Sequence, residues 1–321
     1  MIKAFAAFLG AAAVCISQAA LAQGYPAKPV RFIVAAAPGG STDVLGRLLA
    51  IRLGERLNQP FVTENRGGAA GSIAAEAVAK SAPDGYTLIV TNDQLVVQAS
   101  FASHLAYDPI ADFAPIGIMA RGPVVLGVNP SVPAHSVKEL VALVKAHPGK
   151  YAFSSCGNGT VLHLAGELLN LQAGIDLAHI AYKGCAPAIA DVVSGQVPVF
   201  FTVLGNAVPF EKTGKVRLLG VASLQRLKSF PDLPTIAEAG FQGYDAYPWF
   251  GVLAPAHTPR DIVTKLAGEI ASAVEAPNLN ERIRSYYLEP TTATPEAFAE
   301  IMKSDFARWK RVVRQAKLHL D

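Results

Sequence analysis

Two segments of this chain place a short apolar strand directly before a glycine-rich turn that opens a helix. They are RFIVAAAPGGSTDVLGRLLA at 31–50 and YAFSSCGNGTVLHLAGELL at 151–169. The first backbone N–H groups of a helix have no partner within the helix, and the helix dipole favours negative charge there. Because glycine has no side chain, a ligand can approach this backbone closely. With no nucleophile–base set beside them, the two turns predict a binding protein whose two domains hold a small anion.

Apolar β-rich runs alternate with helical stretches along most of the chain, for example strand 30–35 before helix 42–57. Such alternation is typical of parallel α/β sheets. A segment rich in glycine, proline and aromatic residues follows at 240–259, and helices are predicted after it. These last helices have few strands beside them, so we expect them to pack against the first sheet, and the chain then crosses twice between two lobes. The predicted boundaries are 24–125 with 245–321 for lobe 1, and 126–244 for lobe 2.

The N-terminus has the pattern of a secretory signal peptide. Lys3 precedes an apolar run at 4–16, and Ala20-Leu21-Ala22 forms an A-x-A cleavage site. We therefore expect residues 1–22 to be a signal peptide and the protein to be periplasmic. With 51% hydrophobic and 17% charged residues, the chain can bury large cores. Its basic residues are scattered, which argues against a nucleic-acid-binding surface.

The predicted ligand contacts follow from what a carboxylate needs when it leaves water, namely several hydrogen-bond donors. Backbone N–H groups in the two turns and nearby hydroxyls provide such donors. Polar residues at the ends of other strands are further candidates, because ligands of α/β proteins bind beyond the carboxyl ends of the strands. The candidate ligand-binding residues are Gly39, Gly40, Ser41, Thr42, Asp43, Thr91, Asn92, Ser154, Ser155, Gly157, Asn158, Thr160, Lys183 and Thr202.

Alternative roles stay open for several of these residues. The glycine turns can be tight turns only, and Ser41 can be no more than the cap of its helix. An acidic side chain repels a carboxylate, so Asp43 is expected to hold the loop or to favour the helix dipole rather than to contact the ligand. Lys183 is either a charge partner of the ligand or a solvated residue at a strand end. We expect no cofactor, no metal and no catalytic residues.

Two cysteines follow the predicted signal peptide. Cys156 lies in the second glycine turn, and Cys185 follows a strand that should lie close to it. In an oxidising compartment this favours a disulfide between Cys156 and Cys185. The alternative is a metal site that also uses His163 and His179, although the spacing matches no zinc pattern.

Short motifs along nearly the whole mature chain resemble the Bug family, the extracytoplasmic receptors of tripartite tricarboxylate transporters. No single motif is specific, but their order and spacing together are. Those that carry the resemblance are YPAKPV at 25–30, PGGSTD at 38–43, VTENR at 62–66, APDGYTL at 82–88, YDP at 107–109, VNP at 128–130, HLA at 163–165, YKG at 182–184, GQV at 195–197, PTIAEAG at 234–240, AP at 254–255 and TP at 258–259.

This resemblance implies an α/β fold of the type II-like periplasmic binding proteins, with two lobes, a mixed sheet flanked by helices in each, and a hinge crossed twice. It implies a receptor and not an enzyme, which captures a small carboxylate between the lobes and delivers it to the membrane permease subunits of a tripartite transporter. The alternatives are a periplasmic carboxylate sensor for a signalling partner and an exported enzyme. The ligand stays open among di- and tricarboxylates, amino acids and aromatic carboxylates. We expect a monomer.

Overall fold

The computed structural model describes residues 24–101 and 105–319. The predicted signal peptide at 1–22 lies outside these ranges. The described strands are β1 (Val30–Val34), β2 (Phe61–Asn65), β3 (Thr87–Asn92), β4 (Phe113–Arg121), β5 (Val124–Val128), β6 (Ala152–Ser155), β7 (Ala178–Ala181), β8 (Val199–Val203), β9 (Arg217–Val221), β10 (Trp249–Pro255) and β11 (Glu289–Pro290). The α-helices are α1 (Ser41–Leu57), α2 (Ser72–Ala79), α3 (Gln94–Phe101), α4 (Val137–Ala146), α5 (Val161–Ala173), α6 (Cys185–Val193), α7 (Leu204–Glu211), α8 (Arg260–Glu275), α9 (Pro277–Ser285) and α10 (Pro295–Gln315).

Within the described residues the strands form two mixed sheets. Sheet 1 has the order β11-β4-β10-β3-β1-β2, and sheet 2 has the order β7-β6-β8-β5-β9. In sheet 1, β1 runs parallel to β2 and β3, whereas β10 is antiparallel to β3 and β4. In sheet 2, β6 runs parallel to β7 and β8, and β5 is antiparallel to β8 and β9. The predicted α/β fold with two mixed sheets is confirmed.

The chain passes between the sheets twice, once between β4 and β5 and once between β9 and β10. The first passage lies between Arg121 and Val124, so all of β5 belongs to sheet 2, whereas the predicted boundary at 125/126 falls within this strand. The side chain of Arg121 joins the two passages, because its Nη2 donates a hydrogen bond to the carbonyl oxygen of Tyr247 at 2.9 Å. The lobe boundaries themselves stay a prediction.

The topology brings the glycine turns to particular sheet edges. Parallel β1 and β3 end at one edge of sheet 1, where β10 begins opposite Asn92. Likewise β6, β7 and β8 end at one edge of sheet 2, where β5 begins opposite Val203. The chain crosses between the sheets at these same two edges. The turns after β1 and β6 therefore lie at the edges that the crossings connect.

Apolar cores cover both faces of each sheet, and two helices reach from one sheet to the other. In α10, Phe298 and Met302 pack in the core beside sheet 1, whereas Trp309 and Val312 pack in the core beside sheet 2. Val97 of α3 is buried in that second core as well. The last helix was predicted to belong to lobe 1, but its C-terminal half contributes to the core of sheet 2.

Candidate ligand-binding site

The first glycine turn leaves the start of α1 open. Gly40 is the N-cap residue, with extended backbone angles (φ −75°, ψ 163°), and no side chain caps the helix. Gly39, Gly40 and Ser41 are exposed. Gly39 has a φ of +88°, a left-handed conformation that favours glycine. The first-turn N–H groups of α1 are therefore presented at the edge of sheet 1, as the sequence predicts.

Asp43 faces the loop rather than the solvent. Its carboxylate accepts hydrogen bonds from the Gly39 N–H at 2.9 Å and from Asn65 Nδ2 at 2.8 Å, and it pairs with Arg47 Nε at 2.9 Å. Burial alone would raise the pKa of Asp43, but the hydrogen bonds from Gly39, Arg47 and Asn65 outweigh it and lower the pKa. Asp43 thus holds the glycine turn in shape, which is the loop-holding role considered from the sequence.

The second glycine turn is closed by its own side chains. Thr160 is the N-cap residue of α5, and its Oγ1 accepts a hydrogen bond from the His163 N–H at 3.3 Å. The same hydroxyl donates to the Gly157 carbonyl oxygen at 2.8 Å. The predicted donation from Thr160 to a ligand therefore competes with a bond that the loop already makes.

Replacing Thr160 by alanine is expected to lower the free energy of unfolding by about 1 kcal/mol, the usual cost of a lost N-cap. The affinity for ligand should change less than threefold, because the hydroxyl proton is committed to Gly157. Urea unfolding and calorimetry measure both quantities, and Thr160→Ser, which keeps the cap, is the control. A large loss of affinity at unchanged stability would instead assign the hydroxyl to the ligand.

Two stacked histidines lie beneath the second turn. The rings of His163 and His179 are 3.9 Å apart and nearly parallel, and Phe153 stacks on His179. His163 Nδ1 accepts the Gly159 N–H at 3.3 Å, and His179 Nε2 lies 2.7 Å from Ser155 Oγ. Burial lowers the pKa of His163 to about 4, and burial together with the neighbouring His163 lowers that of His179 to about 3. Both rings are therefore neutral at pH 7 and support the turn by packing and hydrogen bonds.

Cys156 and Cys185 form a disulfide, as predicted from the sequence. The bond joins the turn after β6 to the start of α6, and the Gly184 N–H donates to the Cys156 carbonyl oxygen at 3.1 Å beside it. The metal alternative is wrong, because both thiols are consumed by the disulfide. No group of three or more histidine, cysteine or acidic side chains is placed to hold a metal ion within residues 24–101 and 105–319.

The two edges are joined by Gln94, which the sequence analysis did not single out. Its Nε2 donates a hydrogen bond to the Gly159 carbonyl oxygen at 2.7 Å, although Gln94 follows a strand of sheet 1 and Gly159 follows a strand of sheet 2. On the side of sheet 1, Asn92 Nδ2 donates to Thr42 Oγ1 at 3.4 Å. The structure thus brings the predicted residues Thr42 and Asn92 together and links their edge to the second turn.

The other predicted site residues divide by exposure. Asn158 and Lys183 are exposed, whereas Thr91, Ser154, Ser155 and Thr202 are buried. Ser154 Oγ has no hydrogen-bond partner within the described part of the protein, and Thr202 Oγ1 accepts from Asn206 Nδ2 at 3.3 Å. Gly157 packs tightly, since a Cβ there would lie 3.2 Å from the Tyr182 carbonyl oxygen.

A buried acid beside Asn92 adds little negative charge to this edge. Asp93 is 4% exposed, and its Oδ2 has no hydrogen-bond partner among the residues described. Burial, reinforced by the charge of Asp305, raises the pKa of Asp93 to about 8. The carboxyl group is therefore mostly neutral at pH 7 and does not repel an anion at the end of β3.

Several residues that shape the site have only weak sequence signals. Arg47 and Asn65 hold Asp43, and a Cβ at Gly67 would lie 3.1 Å from the Ala37 backbone nitrogen in the first turn. Arg47 can be anticipated as the i+4 partner of Asp43 on a helix. Asn65 and Gly67 come from a different strand and loop, so only the tertiary structure reveals them.

The profile of the family described as "Tripartite tricarboxylate transporter family receptor" matches residues 45–318. The chain belongs to this family. Protein BugT of Bordetella pertussis (strain Tohama I) is 36% identical over 296 residues, which cover 92% of this chain and 91% of BugT. The resemblance to the Bug family that the sequence motifs indicate is confirmed.

Solved structures of receptors with bound acids are also similar. "R. palustris Rpa4515 with adipate" is 34% identical, with a TM-score of 0.77, and the match covers 92% of this chain and 99% of Rpa4515. "MatC (Rpa3494) from Rhodopseudomonas palustris with bound malate" is 32% identical, with a TM-score of 0.73, over 90% of this chain and 100% of MatC. This chain is therefore a two-lobe solute-binding receptor and not an enzyme, as predicted.

Members of this family are periplasmic binding proteins of tripartite transporters. In the described part of the chain, none of the helices is both long and apolar enough to cross a membrane. The family therefore fixes the kind of partner, a membrane permease, and the kind of ligand, a small carboxylate.

Proposed function

We propose that this receptor captures a dicarboxylate between the first glycine turn and the facing edge of sheet 2, in the periplasm, and delivers it to the permease of a tripartite transporter. The observation that carries the proposal is the open start of α1, where Gly40 and Ser41 are exposed and no side chain caps the helix. Free N–H groups at a helix start bind anions. The similar receptors Rpa4515 and MatC hold adipate and malate, which supports a dicarboxylate.

The proposed contacts at sheet 1 involve the N–H groups of Ser41 and Thr42, with Asn92 beside them. The Gly40 N–H makes a long hydrogen bond to the Ala37 carbonyl oxygen at 3.5 Å, which a ligand would have to replace. Asp43 is placed outside this set, because its carboxylate is used within the loop. On sheet 2, the exposed Asn158 and Lys183 are free to meet the second carboxylate. We propose the same two lobes as the sequence predicts, except that the first crossing between them lies at 122–123 rather than at 125/126. Cleavage after Ala22 would release the mature receptor into the periplasm.

Calorimetric titration of the mature chain with a panel of acids tests this proposal. The panel contains adipate and malate as dicarboxylates, citrate as a tricarboxylate, alanine as an amino acid with one carboxylate, and benzoate as an aromatic carboxylate. We expect one molecule of a dicarboxylate to bind per chain, more tightly than the other acids. Tighter binding of citrate, alanine or benzoate would reassign the ligand class, and heat from none of the five would contradict carboxylate capture by this chain.

A further inference from the structure

Gln94 connects the two lobes through a single short hydrogen bond. Its side-chain amide donates to the Gly159 carbonyl oxygen with Nε2 and the oxygen 2.7 Å apart. The donor lies in the first turn of α3, directly after β3 of sheet 1, and the acceptor lies in the glycine turn after β6 of sheet 2. Any motion that separates these edges must break this bond.

Hydrogen bonds within each edge hold the backbone at both ends of this bond. The Gln94 N–H donates to Asn92 Oδ1 at 3.1 Å, and Asn92 Nδ2 donates to Thr42 Oγ1 at 3.4 Å. On the other side, the Gly159 N–H donates to Nδ1 of the buried His163 at 3.3 Å. With both backbones fixed, only the side chain of Gln94 loses conformational freedom when the bond forms.

The residues around this bond show that the two lobes pack against each other here. Gln94 is half-buried, and Leu95, Val96 and Val97 directly after it are buried. Val97 packs in the core beside sheet 2. The bond is therefore partly shielded from water. If the Gln94 amide is removed, the Gly159 carbonyl oxygen is left poorly solvated, which costs free energy.

We propose that Gln94 is an interlobe latch, a positioning residue that sets how long the bound solute stays without contacting it. This inference rests on the proposed function, because the solute must sit between the same edges. A hydrogen bond that requires the two edges to lie together stabilises the arrangement in which they do so. Because the proposed ligand binds to this arrangement, thermodynamic linkage makes the ligand bind more tightly. Most of the effect should appear in the dissociation rate, as for most changes at one interface.

The chain offers a matched pair of glutamines for the test. Gln94→Glu keeps the shape of the side chain but replaces the N–H donor by an oxygen that faces the Gly159 carbonyl, and Gln94→Ala removes the side chain without adding charge. Gln98 lies one turn later on the same helix, is also half-buried, and makes no side-chain hydrogen bond within the described residues. Gln98→Glu and Gln98→Ala therefore control for charge and for truncation.

Two measurements are made on the five proteins with the dicarboxylate that binds best. Stopped-flow kinetics gives the dissociation rate. Pulsed electron paramagnetic resonance gives the distance between spin labels on Ile51→Cys in α1, beside sheet 1, and on Lys138→Cys in α4, beside sheet 2, both at exposed positions. For both Gln94 variants we expect dissociation about 5 to 10 times faster, an unchanged melting temperature and a broader distance distribution. The Gln98 variants should match the wild type.

Equal dissociation rates and equal distance distributions for the Gln94 and Gln98 variants would overturn the latch. The label distances are also measured without any acid, where the Gln94 variants should again give the broader distribution. If the wild type binds none of the acids, the proposed function fails, while these distances still decide whether Gln94 holds the lobes together. The two failures can therefore be told apart.

Discussion

Replacing Cys156 and Cys185 by serine is expected to lower the free energy of unfolding by about 3–4 kcal/mol. The disulfide joins residues that are 29 positions apart, and closing a loop of this length removes conformational entropy from the unfolded chain. The bond also ties the second glycine turn to the start of α6, beside the hydrogen bond from Gly184 to Cys156. The double variant should therefore lose both stability and order in this turn.

Urea unfolding of the double variant and of the wild type, with and without a reductant, measures this effect. Reduction should lower the stability of the wild type by a similar amount and should leave the double variant unchanged. Hydrogen exchange at Gly157 and Gly184 reports the local order. A difference in unfolding free energy below about 1 kcal/mol would contradict a stabilising disulfide at this position.

Acidification from pH 6.5 to about 4 is expected to destabilise the protein through His163 and His179. Both imidazoles have a lower pKa in the folded protein, about 4 and about 3, than the usual value of 6.5. The unfolded state therefore binds protons in this range that the folded state excludes. The contribution of the two histidines to the free energy of unfolding is fully present above pH 6.5, and it is lost as the pH falls toward their pKa values in the folded protein. Two protons set an upper limit of about 2.7 kcal/mol per pH unit.

Three buried or half-buried acids, Asp93, Asp305 and Glu167, reduce this slope, because burial raises the pKa of each and the folded state therefore holds protons there that the unfolded state has released. Urea unfolding at pH 7, 6, 5 and 4.5 measures the slope. The variant His163→Gln/His179→Gln should flatten it, whereas His135→Gln at an exposed position should leave it unchanged. The same slope in the double variant would show that other groups cause the loss.

The sequence predicted those parts of the fold and site that depend on local patterns. The strand–turn–helix at 31–50, the α/β alternation and the disulfide follow from turn residues, alternating patterns and cysteine positions. The alternation alone predicts parallel sheets, and the mixed character of both sheets was implied only by the family resemblance. β10 was missed, because Trp249–Pro255 contains glycine and proline and lies in a segment that indicates a boundary. Its place in the middle of sheet 1 is set by antiparallel partners distant in sequence, β3 and β4.

Roles within the site were harder to predict than its position. Thr160 carries a hydroxyl at a glycine turn, so the sequence suggests a ligand donor. The structure adds a second role, because Thr160 also caps α5, and its contact with a ligand stays a prediction. Asp43 and Asn65 are 22 residues apart, and Gln94 and Gly159 are 65 apart. Such pairs depend on how strands and lobes assemble, which no local pattern encodes.

The open start of α1 is tested most directly by placing a side chain there. A Cβ at Gly40 has only the Ala37 carbonyl oxygen nearby, at 3.7 Å, and the backbone angles suit any residue. Gly40→Val should therefore fold normally while its methyl groups occupy the space that a carboxylate needs. Gly268→Val, at a helix position with open space around it, is the control.

Calorimetric titration of Gly40→Val, Gly268→Val and the wild type with the best dicarboxylate is the decisive measurement. We predict an affinity at least about 100-fold lower for Gly40→Val, equivalent to about 2.7 kcal/mol, because one or two hydrogen bonds to a charged group are lost. Gly268→Val should bind like the wild type, and all three proteins should melt at similar temperatures. An unchanged affinity in a folded Gly40→Val variant would contradict ligand capture at the first glycine turn.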